Sequence, residues 1–584
     1  MSSFFKIFFA SFLALIIFCL ISFFILVAIV SGLASKDKPR VEANSVLVID
    51  LGQQYKDQEQ KNIFSAFSGE ETDVPALFDV VRLIKHAKED EKIKGILIKA
   101  QSSPNGYAAS EEIRNALIEF KAGDKFILAH GDYMTQNAYA VANIADRVYI
   151  NPQGLLEWVG YSVDLAFLKG TLEKLDIVPQ IFYAGKFKSA TEPLRADKMS
   201  AENKLQTNEW LSDMYSHFLL NTSAVRKIDT TTLINLASNL SITNANDALN
   251  HKLVDGLKYD DEVKNEIKEL LEIDKYDKIS FIDINHYAEA ITFKSTGSDR
   301  IALIYAEGNI VDGEGDQGVI GSEDYLKLIR QARLDKNIKA IVFRINSGGG
   351  SVMASENIWR ELSIARKEKP VVVSFGDVSA SGGYYIASAA DSIFASPVTI
   401  TGSIGVFGII PNMQGFFKNK MGITFDGVKT APHANMGAVY QPLSEFEQKT
   451  VQAEIDRIYE HFKQRVADGR NMNVAAVDSI AQGRVWSGKK ALDIGLVDRF
   501  GGIQDAIDCA AGMADLTGYR IREYPESKGL LERVLGKSTT PDYSNKIKKQ
   551  VGETNFRIYQ EMMKVQEMTG NIQARLPFTF IINK

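Results

Sequence analysis

The chain has 584 residues, 45% of them hydrophobic and 24% charged, with a net charge of −6. That length exceeds one ordinary domain, and the charge balance supplies no basic face for nucleic acid. Its two cysteines, Cys19 and Cys509, exclude a disulfide framework and a cysteine-built metal site.

The first predicted element is a membrane anchor. From Ile7 to Leu33 the run IFFASFLALIIFCLISFFILVAIVSGL carries no charge and exceeds the roughly 20 residues a helix needs to cross a bilayer. A cleavable signal peptide has a shorter apolar region and an A-x-A-like site. The stretch GLAS at 32–35 is a poor match, so residues 1–40 are read as an uncleaved anchor. Lys6 flanks the run on one side, and Lys36, Lys38 and Arg40 with Asp37 on the other. This charge count does not decide orientation.

The remainder is an internal duplication. IKGILIKAQSSPNGYAASEEI at 93–113 aligns with IKAIVFRINSGGGSVMASENI at 338–358, and GDYMTQNAYAVANIADRVYINP at 131–152 with GDVSASGGYYIASAADSIFASP at 376–397. Both pairs are offset by 245 positions, and DALNHKLVDG at 247–256 echoes KALDIGLVDR at 490–499. Two related halves are expected, 45–270 and 298–520. In each, short apolar runs (GILI and FILAH, then AIVF and PVVVS) alternate with amphipathic helices such as SEDYLKLIRQARLD. The fold class is therefore α/β, with right-handed crossovers and a parallel or mixed sheet. The extension 521–584 is charged, with an amphipathic stretch near NFRIYQEMMKVQEM. It is expected to be helical or partly disordered, and no chemistry is assigned to it.

The chemistry gathers in the second half. Ser381, before Gly382 and Gly383, has the setting of a nucleophile presented on a turn, and Ser379 reads as a helical or turn serine. The glycines of NSGGGS at 346–351 let backbone N–H groups approach a ligand, as an oxyanion site requires. The first half carries Gln136, Asn137 and Ala138 where the second has Ser381, Gly382 and Gly383, and QSSPNG where the second has NSGGGS. A serine needs a base. Of seven histidines only His433 and His461 follow Ser381 in its own half. A lysine whose charged form is disfavoured by burial is also adequate, so the base stays open at this point; His433, and Lys186 beside the motif lysine that the resemblance below implies, are its rivals. No GxxxxGK[ST] loop or ligand cluster is present, so neither cofactor nor metal is expected.

Three motifs, RINSGGGSVMASENIWREL, GDVSASGGYYIASAAD and TGSIGVFG, resemble the signal peptide peptidase A (protease IV) family in its long, duplicated form. The likeness extends over the anchor, both halves and WSGKKALDIGLVD at 486–498. It implies two tandem Clp-protease/crotonase-like spiral β/α domains behind a transmembrane helix. It implies Ser381 as nucleophile, Lys188 in KSATEP (188–193) as base, and Ser403 in TGSIG as the hydroxyl that orients the lysine. The superfamily analogy adds the N–H groups of Gly350 and Gly382 as oxyanion donors. One departure is Gly348, where the family usually has proline. Also implied are remnant signal peptides as substrates, a homotetramer, and a bacterial inner membrane location with the catalytic domain on the periplasmic side. The second-half counterpart of AGKFKSATEP is GVKTAPHANMGAVYQP, without a lysine at the matching place. One half would keep the base and the other the serine. The rival classes are a crotonase-type acyl-CoA enzyme and an inactive peptide-presenting scaffold.

Overall fold

In the computed structural model, residues Ser2–Ala34 form a single helix. Its stretch Phe4–Ser22 has a mean hydropathy of 2.6 and is wholly exposed, so it is long and apolar enough to cross a membrane. The structure describes residues 2–34, 39–58, 74–293, 297–315, 318–526, 572–576 and 582–583.

The apolar runs of the first half become a parallel six-stranded sheet. Its order is Gly256–Leu257, Arg147–Leu156, Phe126–Met134, Ile93–Lys99, Ser45–Asp50 and Phe281–Asp283. The second half repeats the plan in eight strands. Val371–Ala380 lies beside Ile338–Ser347, which lies beside Arg300–Glu307, all parallel. Helices cover both faces, so the central strands are buried on both sides and read as continuous apolar runs. The duplication extends to these helices: Tyr107–Lys121 corresponds to Val352–Ala365, and Ala201–Arg226 to Glu445–Arg470. Each half has its own core, around Ile96, Ile127 and Ile150 in the first and Phe343, Val373 and Ile393 in the second.

Both halves recruit a strand beyond the expected boundaries at 270 and 520. Phe281–Asp283 pairs with Ser45–Asp50, and Arg520–Tyr524 pairs with Arg300–Glu307. These edge strands are short or charged and lack the apolar run that marks a central strand. A third sheet belongs to neither half alone. It runs Val319–Gly321, Asn309–Val311, Gly349–Ser351, Gln573–Arg575, Val406–Asn412 and Val178–Ala184. The last two strands, one from each half, pair antiparallel along their whole length.

The halves are also joined by buried charge. Arg344 donates to Asp57 Oδ1 (3.1 Å) and Glu112 Oε1 (2.7 Å) across the junction, and to Ser374 Oγ and the Phe375 carbonyl on its own side. Asp377 Oδ1 accepts the Ala108 and Ala109 N–H groups at the start of helix Tyr107–Lys121, where the helix dipole favours a carboxylate.

The C-terminal extension differs from expectation. Its amphipathic stretch at 554–567 lies outside the described residues. The described part is strand: Gln573–Arg575 enters the third sheet, and Ile582–Asn583 pairs with Ser162–Val163 of the first half. Pairing with strands distant in sequence leaves no periodic signature in the segment itself.

Candidate active site

Strand Val371–Ala380 ends in a sharp corner at Ser381, and helix Gly382–Ala387 begins directly after it. Ser381 has φ 56° and ψ −114°, a strained conformation for a non-glycine residue that surrounding contacts must impose. Two backbone hydrogen bonds do so. The Ser381 N–H donates to the Gly402 carbonyl, and the Tyr385 N–H donates to the Ser381 carbonyl, both at 2.8 Å. Ser403 also has positive φ, at 51°, and its N–H donates to the Arg484 carbonyl.

The cross-half strand pair brings the lysine in. Its register sets Ala184 opposite Val406. The turn that follows Ala184 in the first half therefore meets the turn that precedes Val406 in the second. Lys188 lies on one turn and Ser403 on the other. Lys188 Nζ is 2.9 Å from Ser381 Oγ, 3.0 Å from Ser403 Oγ and 3.2 Å from the Ser403 carbonyl oxygen. Lys188 is 1% exposed, and both serines are fully buried. Burial pushes the Lys188 amine well below the ordinary lysine range, because water no longer stabilises the ammonium form. A neutral amine has two N–H donors and one lone pair. Donation to the Ser403 carbonyl and Oγ leaves the lone pair for the Ser381 hydroxyl.

A framework around KSATEP fixes the lysine turn. The Phe187 N–H donates to the Gln482 carbonyl, and Gln206 Nε2 donates to the Phe187 carbonyl and Ser189 Oγ. Glu192 accepts from Ser200 Oγ, the Ser200 N–H and Asn203 Nδ2. Gly483 (φ +72°) passes so close that a β-carbon there would lie 2.7 Å from Lys188 Cβ.

The glycine loop and the serine corner meet at a backbone oxygen. A β-carbon on Gly382 would stand 3.1 Å from the Gly350 nitrogen and 3.0 Å from the Ala574 carbonyl oxygen. One on Gly349 (φ +98°) would fall 2.0 Å from that oxygen and 2.7 Å from the Gly382 nitrogen. The backbone passes this close only because these positions carry no side chain.

Comparison with known proteins supplies the family. The chain matches peptidase family S49 twice, over residues 119–274 and 363–517. Protease 4 of Salmonella typhi is 36% identical over 80% of this chain and 76% of its own. The chain belongs to peptidase family S49. Protease 4 of Haemophilus influenzae is 33% identical, covering 83% of this chain and 82% of its own, and the chloroplastic serine protease SPPA of Arabidopsis thaliana is 32% identical, covering 82% and 70%. Among solved structures, a mutant of ClpP1 from Listeria monocytogenes aligns with 35% of this chain and 94% of its own at a TM-score of 0.24 and 20% identity. This S49 peptidase is a serine protease.

The rival residues lie elsewhere. His433 is exposed, hydrogen-bonded to Glu447 and stacked on Phe446. Lys186 is exposed, with its amine over the Phe187 ring. Ser379 is buried on strand Val371–Ala380, opposite Thr401, rather than on a helix or turn. In the first half, Gln136 fills the position equivalent to Ser381. Its Oε1 accepts the Val159 and Gly160 N–H groups and its Nε2 donates to the Gly160 carbonyl. Sequence reasoning missed Gln206, Gly483 and Ala574. Gln206 lies on the helix that follows the lysine turn, Gly483 comes from the other half and Ala574 from the extension; none carries a local signal.

Proposed function

We propose that this S49 peptidase is a membrane-anchored serine endopeptidase working through a Ser381/Lys188 dyad. The observation that carries the reading is the buried Lys188 amine 2.9 Å from Ser381 Oγ, with each residue supplied by a different half. Neutral Lys188 takes the Ser381 proton as Oγ attacks a peptide carbonyl. Ser403 aims the amine, and the N–H groups of Gly350 and Gly382 stabilise the oxyanion, a contribution of several kcal/mol in comparable sites, about 3–4 for one donor. The protonated lysine then passes its proton to the leaving amine. A water activated by the same amine hydrolyses the acyl-enzyme.

The resemblance supports cleaved signal peptides and other peptides at the membrane as the substrate class, and the Protease 4 relatives support peptide substrates in general. The resemblance also supports a homotetramer, which the mass in detergent would check. Ser381→Ala and Lys188→Ala are each expected to lower peptide hydrolysis by roughly 100-fold or more, with the fold retained. A serine-directed acylating or phosphonylating probe should label Ser381, mapped by mass spectrometry. Full activity in Lys188→Ala together with loss in His433→Ala would remove the lysine from the mechanism.

The helix Ser2–Ala34 and the bacterial relatives support anchoring in the inner membrane, and the periplasmic side for the catalytic part rests on the family resemblance. Protease added to spheroplasts should digest that part. Protection equal to that of a cytoplasmic marker would reverse the topology.

A further inference from the structure

The two halves differ in how one matching space is filled. In the second half the Tyr385 ring is buried 4.6 Å from the Phe462 ring, and its hydroxyl donates to Glu356 Oε2 at 2.5 Å. Arg465 also donates to Glu356 and lies over the Trp359 ring. The 245-residue offset sets Ala140 against Tyr385, Glu111 against Glu356 and Arg114 against Trp359. The helices Ala201–Arg226 and Glu445–Arg470, aligned end to end, set Phe218 against Phe462 and Asn221 against Arg465. A methyl therefore stands where the second half has a phenol. A cavity of about 30 Å³ lies there, with Ala140, Ser110, Glu111, Arg114, His217 and Phe218 in its lining.

Its polar lining is short of an acceptor. Arg114 is 6% exposed, yet its guanidinium makes no hydrogen bond or ion pair among the described residues, and its Nε is buried without a partner. Glu111 acts on it only through its field and is itself held by His217 Nε2 at 3.1 Å. Ser110 Oγ is also buried without a partner, whereas its counterpart Ser355 donates to the Ser351 carbonyl. A guanidinium has five N–H donors and no acceptor, and burying it unpaired is costly. Burial pulls the Arg114 guanidinium below its ordinary range, against the Glu111 charge. A further anion would stabilise the charged form. The volume holds roughly two to three water-sized groups, the size of one carboxylate head. Glu111, Ala140, His217 and Asn221 are only half-buried, which leaves a way in.

We propose that this first-half cavity is a carboxylate-binding site, with Arg114 and the Ser110 hydroxyl holding the anion's oxygens. Arginine's planar fork matches a carboxylate bidentately. Glu111 opposes a second carboxylate, and the pull of His217 limits that opposition, so affinity for a small acid is modest. Small free acids and the C-terminus of a peptide carry the same head. Neither Ser381 nor Lys188 lines the cavity, so the site stands apart from the dyad.

The test uses the detergent-solubilised full chain as Ser381→Ala, so that no peptide is cut. Acetate binding is followed by saturation-transfer NMR, with acetamide as its neutral match. Saturable acetate binding is expected, at least about ten-fold tighter than that of acetamide. Arg114→Gln should weaken it at least about ten-fold. Ala140→Tyr copies the packing that the second half already holds around Tyr385, so it should keep its Tm and lose acetate binding. A tripeptide with a free C-terminus and its C-terminal amide form the second arm. Binding of the free acid but not the amide, abolished in Ala140→Tyr, makes a peptide end the source of the head. Binding of acetate alone makes the source a small free acid. No saturable acetate binding, equal binding of acetamide, or binding unchanged in both Arg114→Gln and Ala140→Tyr overturns the site. None of these outcomes bears on the labelling of Ser381, which tests the dyad separately.

Discussion

A free lysine titrates near 10.4, so only about 0.04% is neutral at pH 7, too little to serve as a base. Here the amine is surrounded by two hydroxyls and a carbonyl, and burial lowers its pKa. The protonated amine has no lone pair and is inactive. Acylation should therefore rise with pH through the lowered Lys188 pKa and level off above it. Ser403→Ala removes one of the two Ser403 oxygens that fix the amine. A lysine no longer aimed at buried partners reaches water, and hydration restores the charged form. We expect a lower acylation rate and a rising limb moved to higher pH, read from acylation rate against pH for wild type and variant. An unchanged rate and limb would remove Ser403 from the mechanism.

At the level of elements, the decisive contacts are between turns. Gly483 shows how closely they fit, with positive φ and no room for a β-carbon beside Lys188. Gly483→Ala costs about 1–3 kcal/mol of backbone strain and displaces the turn that carries Lys188, the proposed base. Turnover is expected to fall at least about ten-fold, because small misplacements of reacting groups are expensive, while Tm drops only a few degrees. Gly512→Ala provides the contrast: it lies in helix Ile503–Met513 with open space where the methyl would go. That variant should be as stable as wild type or slightly more so and fully active. Equal losses in both variants would show that the Gly483 site has no special bearing on the lysine.

Across the whole molecule, the proposed dyad requires two halves held in one register. Burial opposes the Arg344 charge, but Asp57 and Glu112 outweigh it and hold the guanidinium above its ordinary range. Arg344→Ala leaves both carboxylates buried without their partner, a loss of about 3–5 kcal/mol by analogy with broken buried ion pairs. The urea midpoint should fall, and hydrolysis should fail at a urea concentration below the one that unfolds the second-half core. An unchanged midpoint would mean that Arg344 contributes nothing to holding the halves together.

Much of this architecture was legible in the chain itself, because the signals were local or repeated. The apolar run marks a helix long and apolar enough to cross a membrane, the 245-residue offset reveals two β/α units, and Gln136 at the place of Ser381 points to the second half as the one that supplies the proposed nucleophile. Resemblance singled out Lys188, since a lone lysine in KSATEP carries no physical signature of burial. Tertiary structure alone decided the rest. The pairing of Val178–Ala184 with Val406–Asn412 brings Lys188 to Ser381 and Ser403, and Gln573–Arg575 is seated antiparallel beside Gly349–Ser351. Both are long-range backbone pairings. Their hydrogen bonds use groups that every residue carries, so side-chain sequence does not announce which distant strand will supply the partner.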